Sequence, residues 1–239
     1  MMRCCFITLG CRVNQYESDA MAELLTQAGF EITETPAEAD VCIVNTCTVT
    51  NIADRKSRQM LSKAHKLNPN AKLIAAGCFA QRSPEAAAKL EGVYAVLGSA
   101  DKNRVVELVK SIAEGRENES KSEKCNCGEK ELCDCCGGMK KFEQPENSEC
   151  SGNAAGGTKI LVRDVMHEHE FEEMSAVHEG RTRAYLKIQD GCNMFCTYCA
   201  IPYARGGLRS RSIESVRAEA EKLNNEGFSE VVLTGIHLM

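Results

Sequence analysis

The sequence predicts an α/β protein, with an N-terminal parallel-sheet domain followed by the start of a second α/β unit. Three observations predict it. Short apolar runs alternate with helix-length amphipathic segments through residues 3–114, the rhythm of a mostly parallel sheet with helices on both faces. The rhythm stops over 115–179, which is rich in Glu, Lys, Ser, Gly and Cys. It resumes from Arg183 with strand, loop, helix and strand patterns.

The elements follow in order. Residues 4–9 form an apolar run with Ile7 and Thr8 and read as a strand. A helix is expected over 15–28, with Asn14 as cap, Glu17 three residues on as in a capping box, and Gly29 as stop. Residues 41–45 read as the next strand, and 52–67 as a helix that must end by Asn68-Pro69. A strand over 73–76 precedes Ser83-Pro84, a cap with proline at the first helical position, opening a helix to about residue 90. A strand at 94–97 and a helix from Asp101 to Ala113 close the domain. The 115–179 segment reads as an inserted linker, disordered in part, with one or two strands near Ile160-Leu161-Val162. Beyond it, 184–189 is a strand, 212–225 a helix and 230–234 a strand. The division expected is 1–114, 115–179 and 180–239, with the last unit incomplete because one βαβ unit does not make a domain.

The chain has 239 residues, enough to bury a real core, and no apolar run approaches the length that crosses a bilayer. The first residues turn polar at Arg12 and Asn14 without a cleavage-site pattern, so a cytoplasmic protein with no membrane partner is expected. Fifteen cysteines exceed what packing requires. An odd count, a long chain and no export signal favour metal or cluster ligation over a disulfide framework. Residues 115–179 hold 15 acids against 8 bases, whereas 181–211 hold 6 bases against 1 acid. The acidity sits in the linker, and the basic stretch surrounds the clearest motif.

That motif is Cys192-Asn-Met-Phe-Cys196-Thr-Tyr-Cys199, directly after an expected strand. Three thiolates on one loop can hold three irons of a [4Fe–4S] cube and leave the fourth open, unlike an electron-transfer cluster with four cysteines. A structural zinc site is the alternative. It needs a fourth ligand, for which distant His178 or His237 are the nearest candidates. A second constellation is dispersed. Cys11, Cys47 and Cys78 each follow a strand, and in a parallel sheet the strand C-termini share the edge where ligands bind. Three buried bystanders would give the same spacing. Cys4, Cys5 and Cys42 fall at or within strands and read as small core residues.

The spacing of Cys192, Cys196 and Cys199, with Tyr198 before the last, resembles the radical-SAM superfamily. The segments Leu9-Gly-Cys11-Arg-Val-Asn14-Gln15-Tyr16-Glu17-Ser18, Asn45-Thr-Cys47-Thr-Val-Thr50 and Ala76-Gly77-Cys78 resemble the cluster-binding segments of the methylthiotransferases. With Lys187-Ile-Gln-Asp-Gly-Cys192 and Ile201-Pro-Tyr203-Ala-Arg205-Gly206, the match covers nearly all of the chain except 115–179. The wording around Cys11 and Asn51–Gln59 is similar to the branch that acts on N6-threonylcarbamoyladenosine in tRNA. Sister branches act on isopentenyladenosine in tRNA or on an aspartate of a ribosomal protein.

The resemblance implies a radical-SAM partial (β/α) barrel as the second unit, two [4Fe–4S] clusters and S-adenosylmethionine. One cluster would lie on Cys11, Cys47 and Cys78, the other on Cys192, Cys196 and Cys199. Tyr198 would pack near the adenine of S-adenosylmethionine, and Thr234-Gly235 would contact its methionine part. An ordinary strand-end turn glycine is the other reading of Gly235. The product would be the 2-methylthio derivative of the modified adenosine at position 37, beside the anticodon. One S-adenosylmethionine would supply the methyl group, and a second, cleaved reductively, the radical that the inert C2–H bond needs. A tRNA and a reductant protein are the implied partners; the sulfur donor is not implied. The family's barrel continues past Met239 and is followed by an RNA-binding domain, so the chain is expected to be truncated. Arg205 and Arg209 are candidates for pairing tRNA phosphates or the carboxylate of the substrate base; solvated surface charge is the alternative. Cys125, Cys127, Cys133, Cys135, Cys136 and Cys150 depart from the family pattern and read as an insertion without catalytic role. A non-enzymatic zinc-binding module is the rival to the enzyme.

Overall fold

The computed structural model describes residues 1–115, 158–176 and 182–238. The first unit is a six-stranded parallel sheet in the order β2-β1-β3-β4-β5-β6. In chain order, β1 (Arg3–Thr8) leads into α1 (Arg12–Gln27), then β2 (Glu31–Thr33), β3 (Val41–Thr46) and α2 (Asn51–Leu67). Next come β4 (Lys72–Gly77), two short helices α3 (Cys78–Arg82) and α4 (Pro84–Ala88), β5 (Val93–Leu97) and α5 (Val105–Ala113). The sixth strand, β6 (Lys159–Leu161), comes from the end of the acidic 115–179 stretch and pairs with β5.

Period-two alternation sorts the strands' side chains onto two faces. Val41, Ile43, Ile74, Ala76, Ala95 and Leu97 pack under Met21 and Leu25 of α1 and Val105, Leu108 and Val109 of α5. Cys42, Val44, Leu73, Ala75 and Val96 face the other way, against Leu61 and Ala64 of α2, Phe79 of α3 and Ala87 of α4. Strand β3 is buried along its whole length, as a central parallel strand must be. Cys4, Cys5 and Cys42 lie in this core, at 0%, 0% and 1% exposure. Burial pushes the Cys4 thiol up to about 12, so it stays an uncharged core group.

Local chemistry sets the helix limits. Thr50 caps α2 by accepting from Ala53 N–H at 3.1 Å, and Asn68 ends it. At α1 the expected capping box is not formed. The helix begins three residues earlier, with Cys11 at the cap position, so Asn14 and Glu17 lie inside it and are buried. Their side chains serve tertiary contacts instead.

The second unit contains β7 (Ala184–Lys187), β8 (Gln189–Asp190), α6 (Ile201–Arg205), β9 (Arg209–Ser210), α7 (Ile213–Asn225) and β10 (Val231–Thr234). Strands β7 and β10 pair in parallel with α7 between them in sequence, a βαβ unit. Ser212 caps α7 through Ser215 N–H at 3.2 Å. Strands β8 and β9 pair antiparallel and close the base of the loop that carries Cys192, Cys196 and Cys199. Ser99 after β5 donates to Ala204 O of α6 at 2.5 Å, and Tyr16 of α1 donates to Met174 O at 2.5 Å. Burial raises the Tyr16 phenol to about 12, which keeps that donor in place. No described helix is long and apolar enough to cross a membrane.

Candidate functional site

Strands β1, β3 and β4 are adjacent and parallel, so their C-terminal ends meet on one edge. Cys11, Cys47 and Cys78 follow those ends directly. The first two of these loops are laced together by the Asn14 side chain, and Thr46 Oγ1 ties the third by donating to Ala76 O and accepting from Ala80 N. Asn14 Nδ2 donates to Leu9 O at 2.8 Å and to Thr46 O at 2.9 Å, while its Oδ1 accepts from Cys11 Sγ at 3.6 Å. Asn45 Nδ2 returns the contact to Asn14 O at 2.9 Å. The Cys47 backbone is clamped by Ser57 of α2, whose hydroxyl accepts from Cys47 N at 3.0 Å and donates to Cys47 O at 2.8 Å.

Two glycines permit the close approach. A Cβ on Gly10 would lie 2.9 Å from Cys47 Sγ. Gly77 has φ +87°, and a Cβ there would lie 2.3 Å from Asn45 Oδ1 and 2.6 Å from Thr46 O. Cys47 and Cys78 are buried, at 5% and 2% exposure, and Cys11 is exposed. Burial pushes the Cys78 thiol up, with Arg205 opposing the rise.

The second triad hangs between β8 and β9. Gly191, at φ +72°, leaves no room for a side chain: a Cβ would lie 1.9 Å from Gly207 O. Cys192 N donates to Gly206 O at 3.1 Å, Leu208 N donates to Asn193 Oδ1 at 2.8 Å, and Cys199 N donates to Cys196 O at 2.9 Å. Cys192 is buried, Cys199 half-buried and Cys196 exposed. Tyr198 is exposed, whereas Thr234 is buried at the end of β10. Gly235 is confined, since a Cβ would lie 2.9 Å from Gln189 Oε1. That oxygen accepts from Ile236 N and His237 N, both at 2.8 Å, and so binds the loop after β10 to β8.

Arg205 is placed differently from the expectation. It does not face solvent or a cleft; its side chain is fully buried between the two units. Its Nη1 donates to Glu17 Oε1 at 2.8 Å and to Asp190 Oδ1 at 3.0 Å. Its Nη2 donates to Glu17 Oε2 at 3.1 Å and to Asn14 Oδ1 at 2.7 Å. Lys187 Nζ lies 2.7 Å from both Glu17 Oε1 and Asp190 Oδ2, and Lys102 Nζ lies 3.3 Å from Glu17 Oε1. Arg209 donates to Arg205 O at 2.6 Å and lines a cavity of about 340 Å³ with Ser99, Asn103 and Arg163. Arg211 is paired with Glu173 and Glu219. The basic density of 181–211 is therefore largely neutralised within the protein.

Burial opposes ionisation of Glu17, but Arg205, Lys102 and Lys187 outweigh it and hold the carboxyl well below the usual carboxylate range. Asp190 is held low in the same way, burial being overcome by Arg205 and Lys187. Lys187 is raised, because Asp190 and Glu17 outweigh its own desolvation.

Both triads offer soft thiol donors, the set iron–sulfur groups take. Among the described residues, no three His, Cys, Asp or Glu side chains stand close enough to share one metal ion. Thiolates on one zinc lie within about 4.6 Å of each other, at about 2.3 Å from the metal. A cube takes one thiolate per iron and spreads them farther apart. The linker cysteines Cys125, Cys127, Cys133, Cys135, Cys136 and Cys150, and His178, lie outside the described residues.

Two family models match the chain. Residues 3–98 match a family model described as "Uncharacterized protein family UPF0004", and residues 186–237 match that of the Radical SAM superfamily. The second unit is thus radical SAM in class, a class that implies S-adenosylmethionine and a [4Fe–4S] cluster. The chain is 38% identical over 97% of its length to Threonylcarbamoyladenosine tRNA methylthiotransferase MtaB of Bacillus subtilis, covering 43% of that protein. It is 35% identical over 99% of its length to the protein of the same name from Aquifex aeolicus, covering 48% of it. It is also 31% identical over 97% of its length to Ribosomal protein uS12 methylthiotransferase RimO of Chloroflexus aurantiacus, covering 46% of that protein. The chain is similar to the radical SAM methylthiotransferases named MtaB and RimO, and it spans less than half the length of these curated relatives.

Proposed function

We propose that this chain carries the two cluster sites of a tRNA methylthiotransferase. In this reading, Cys11, Cys47 and Cys78 hold one [4Fe–4S] cluster, and Cys192, Cys196 and Cys199 hold the other. The enzyme converts N6-threonylcarbamoyladenosine at tRNA position 37 to its 2-methylthio derivative. One observation carries it: the three strand-end cysteines lie on one sheet edge, and the buried Arg205 hub joins that edge to the base of the second cysteine loop. The names of the MtaB relatives support the tRNA substrate. The similarity to RimO favours uS12 as the second reading.

When bound, the clusters and S-adenosylmethionine supply the radical and sulfur chemistry. The chain's residues supply position. Asn14, Ser57 and Gly77 fix the three strand-end loops. Gly191 and Gly206 fix the base of the second loop, where a Cβ on Gly206 would lie 2.0 Å from Val165 O. Gln189 ties the end of β10 beside that loop, holding Thr234 and Gly235 where a ligand's amino and carboxylate groups could be met. Exposed Tyr198 offers a ring face for an adenine. Arg209, buried and with its Nε unpartnered, remains the candidate for substrate carboxylate. A reductant protein is the further partner of this reading.

The test supplies the whole protein, reduced and with S-adenosylmethionine, with three substrates. These are tRNA bearing N6-threonylcarbamoyladenosine, tRNA bearing isopentenyladenosine, and uS12. Mass spectrometry should find the methylthio group on the first alone. A product on isopentenyl tRNA or uS12 alone would remove the substrate assignment.

A further inference from the structure

Five buried charges meet between the two cysteine triads, and none of them is a proposed ligand. Glu17 comes from α1, Lys102 from the turn after β5, Lys187 from β7, Asp190 from β8 and Arg205 from α6. Their side chains are 0–7% exposed. Three cations face two carboxylates, so the group holds one positive charge in excess, away from water. A buried unbalanced charge is costly unless something nearby answers it. One answer lies toward the strand-end cysteines. Arg205 Nη2 donates to Asn14 Oδ1 at 2.7 Å, and the same oxygen accepts from Cys11 Sγ at 3.6 Å. The excess charge therefore stands one side chain behind Cys11, a strand-end cysteine.

We propose that this five-charge network is an electrostatic seat for the cluster on Cys11, Cys47 and Cys78. Its surplus positive charge, presented by Arg205 as a positioning residue, raises that cluster's reduction potential. The inference rests on the ligand assignment proposed above. A three-thiolate iron–sulfur cube is anionic, and gaining an electron makes it more so. A fixed neighbouring cation favours the reduced form, the more so in a region that water does not screen.

The test uses the whole chain carrying Cys192→Ala, Cys196→Ala and Cys199→Ala, reconstituted anaerobically with iron and sulfide, so that one cluster remains. Its potential is read by dithionite titration followed by electron paramagnetic resonance. Arg205→Gln removes the surplus charge and should shift the potential down. Glu17→Gln adds to the surplus and should shift it up. Arg205→Lys keeps the charge and should stay near the parent. A role confined to holding the fold cannot produce opposite shifts from two variants that both break the same network. Shifts of the same sign, or none, overturn the proposal. If either variant loses its cluster, Lys102→Gln in the same titration decides: a lowered potential supports the seat, and an unchanged or raised one overturns it. A parent with no cluster at all overturns the ligand assignment, and this inference with it.

Discussion

Replacing Gly77 by alanine probes the sheet edge most sharply. Gly77 has φ +87° and ψ −159°. That region belongs essentially to glycine, and a side chain held there costs about 1–3 kcal/mol. The added methyl would also lie 2.3 Å from Asn45 Oδ1 and 2.6 Å from Thr46 O, and the second of these is backbone. Asn45 must then move, which breaks its buried donations to Asn14 O at 2.9 Å and Ser18 Oγ at 3.0 Å. Leaving such a buried amide unpaired adds about 1–3 kcal/mol. The sum is about 4 kcal/mol, or a Tm lowered by about 8–16 °C for a chain of this size. Gly29→Ala is the control. Its φ is +89°, but nothing lies within 4 Å of the new Cβ, so only the backbone term of about 1–2 kcal/mol remains. Thermal denaturation of the apo chain by circular dichroism reads both. Equal losses at Gly77 and Gly29 would refute the crowded-edge argument.

Other outcomes follow from the same geometry. Ser57→Ala removes both hydrogen bonds that clamp Cys47 and should cost about 1–3 kcal/mol, with weaker retention of the strand-end cluster on dilution; unchanged urea midpoint and iron retention would count against the clamp. Glu17 and Asp190 are held below their unfolded values of about 4. Their contribution to stability is fully present above about pH 4.5 and is lost as pH falls toward the folded values. Urea midpoints should therefore drop steeply below that pH, and less steeply in Glu17→Gln; parallel profiles would contradict the ionised network. Changing Cys125, Cys127, Cys133, Cys135 and Cys136 to Ser should leave the iron content of the reconstituted protein intact, and loss of about four irons would refute their idleness.

Much of this was legible from the sequence, for physical reasons. Strand-end placement of Cys11, Cys47 and Cys78 needs only the count of apolar runs, because parallel topology then brings those ends to one edge. The longer strands and helices of both units follow from periodicity, whereas the short β2, α3, α6 and β9 are too brief to show a period and were not foreseen. Asn14 and Glu17 misled because their types suit a capping box as well as a buried network. Helix α1 starts at Arg12, one turn earlier than the pattern suggested. Arg205 looked like a free cation because its partner Glu17 is 188 residues away in sequence. Lys102 and Lys187 carried no local signal at all, since a lysine's burial depends on acids that tertiary structure supplies. The three-residue β6 was foreseen as a strand near Ile160, but its place beside β5 depended on a chain path that no local pattern encodes.

The central claim is that two separate cysteine triads hold two clusters. Iron and sulfide analysis of the anaerobically reconstituted chain tests it, alongside two triple variants: Cys11, Cys47 and Cys78 changed to Ala, and Cys192, Cys196 and Cys199 changed to Ala. The account predicts about eight irons in the parent and about four in each variant, with distinct resonance signals for the two remaining clusters. Full iron content in either variant, or zinc in place of iron, would contradict it.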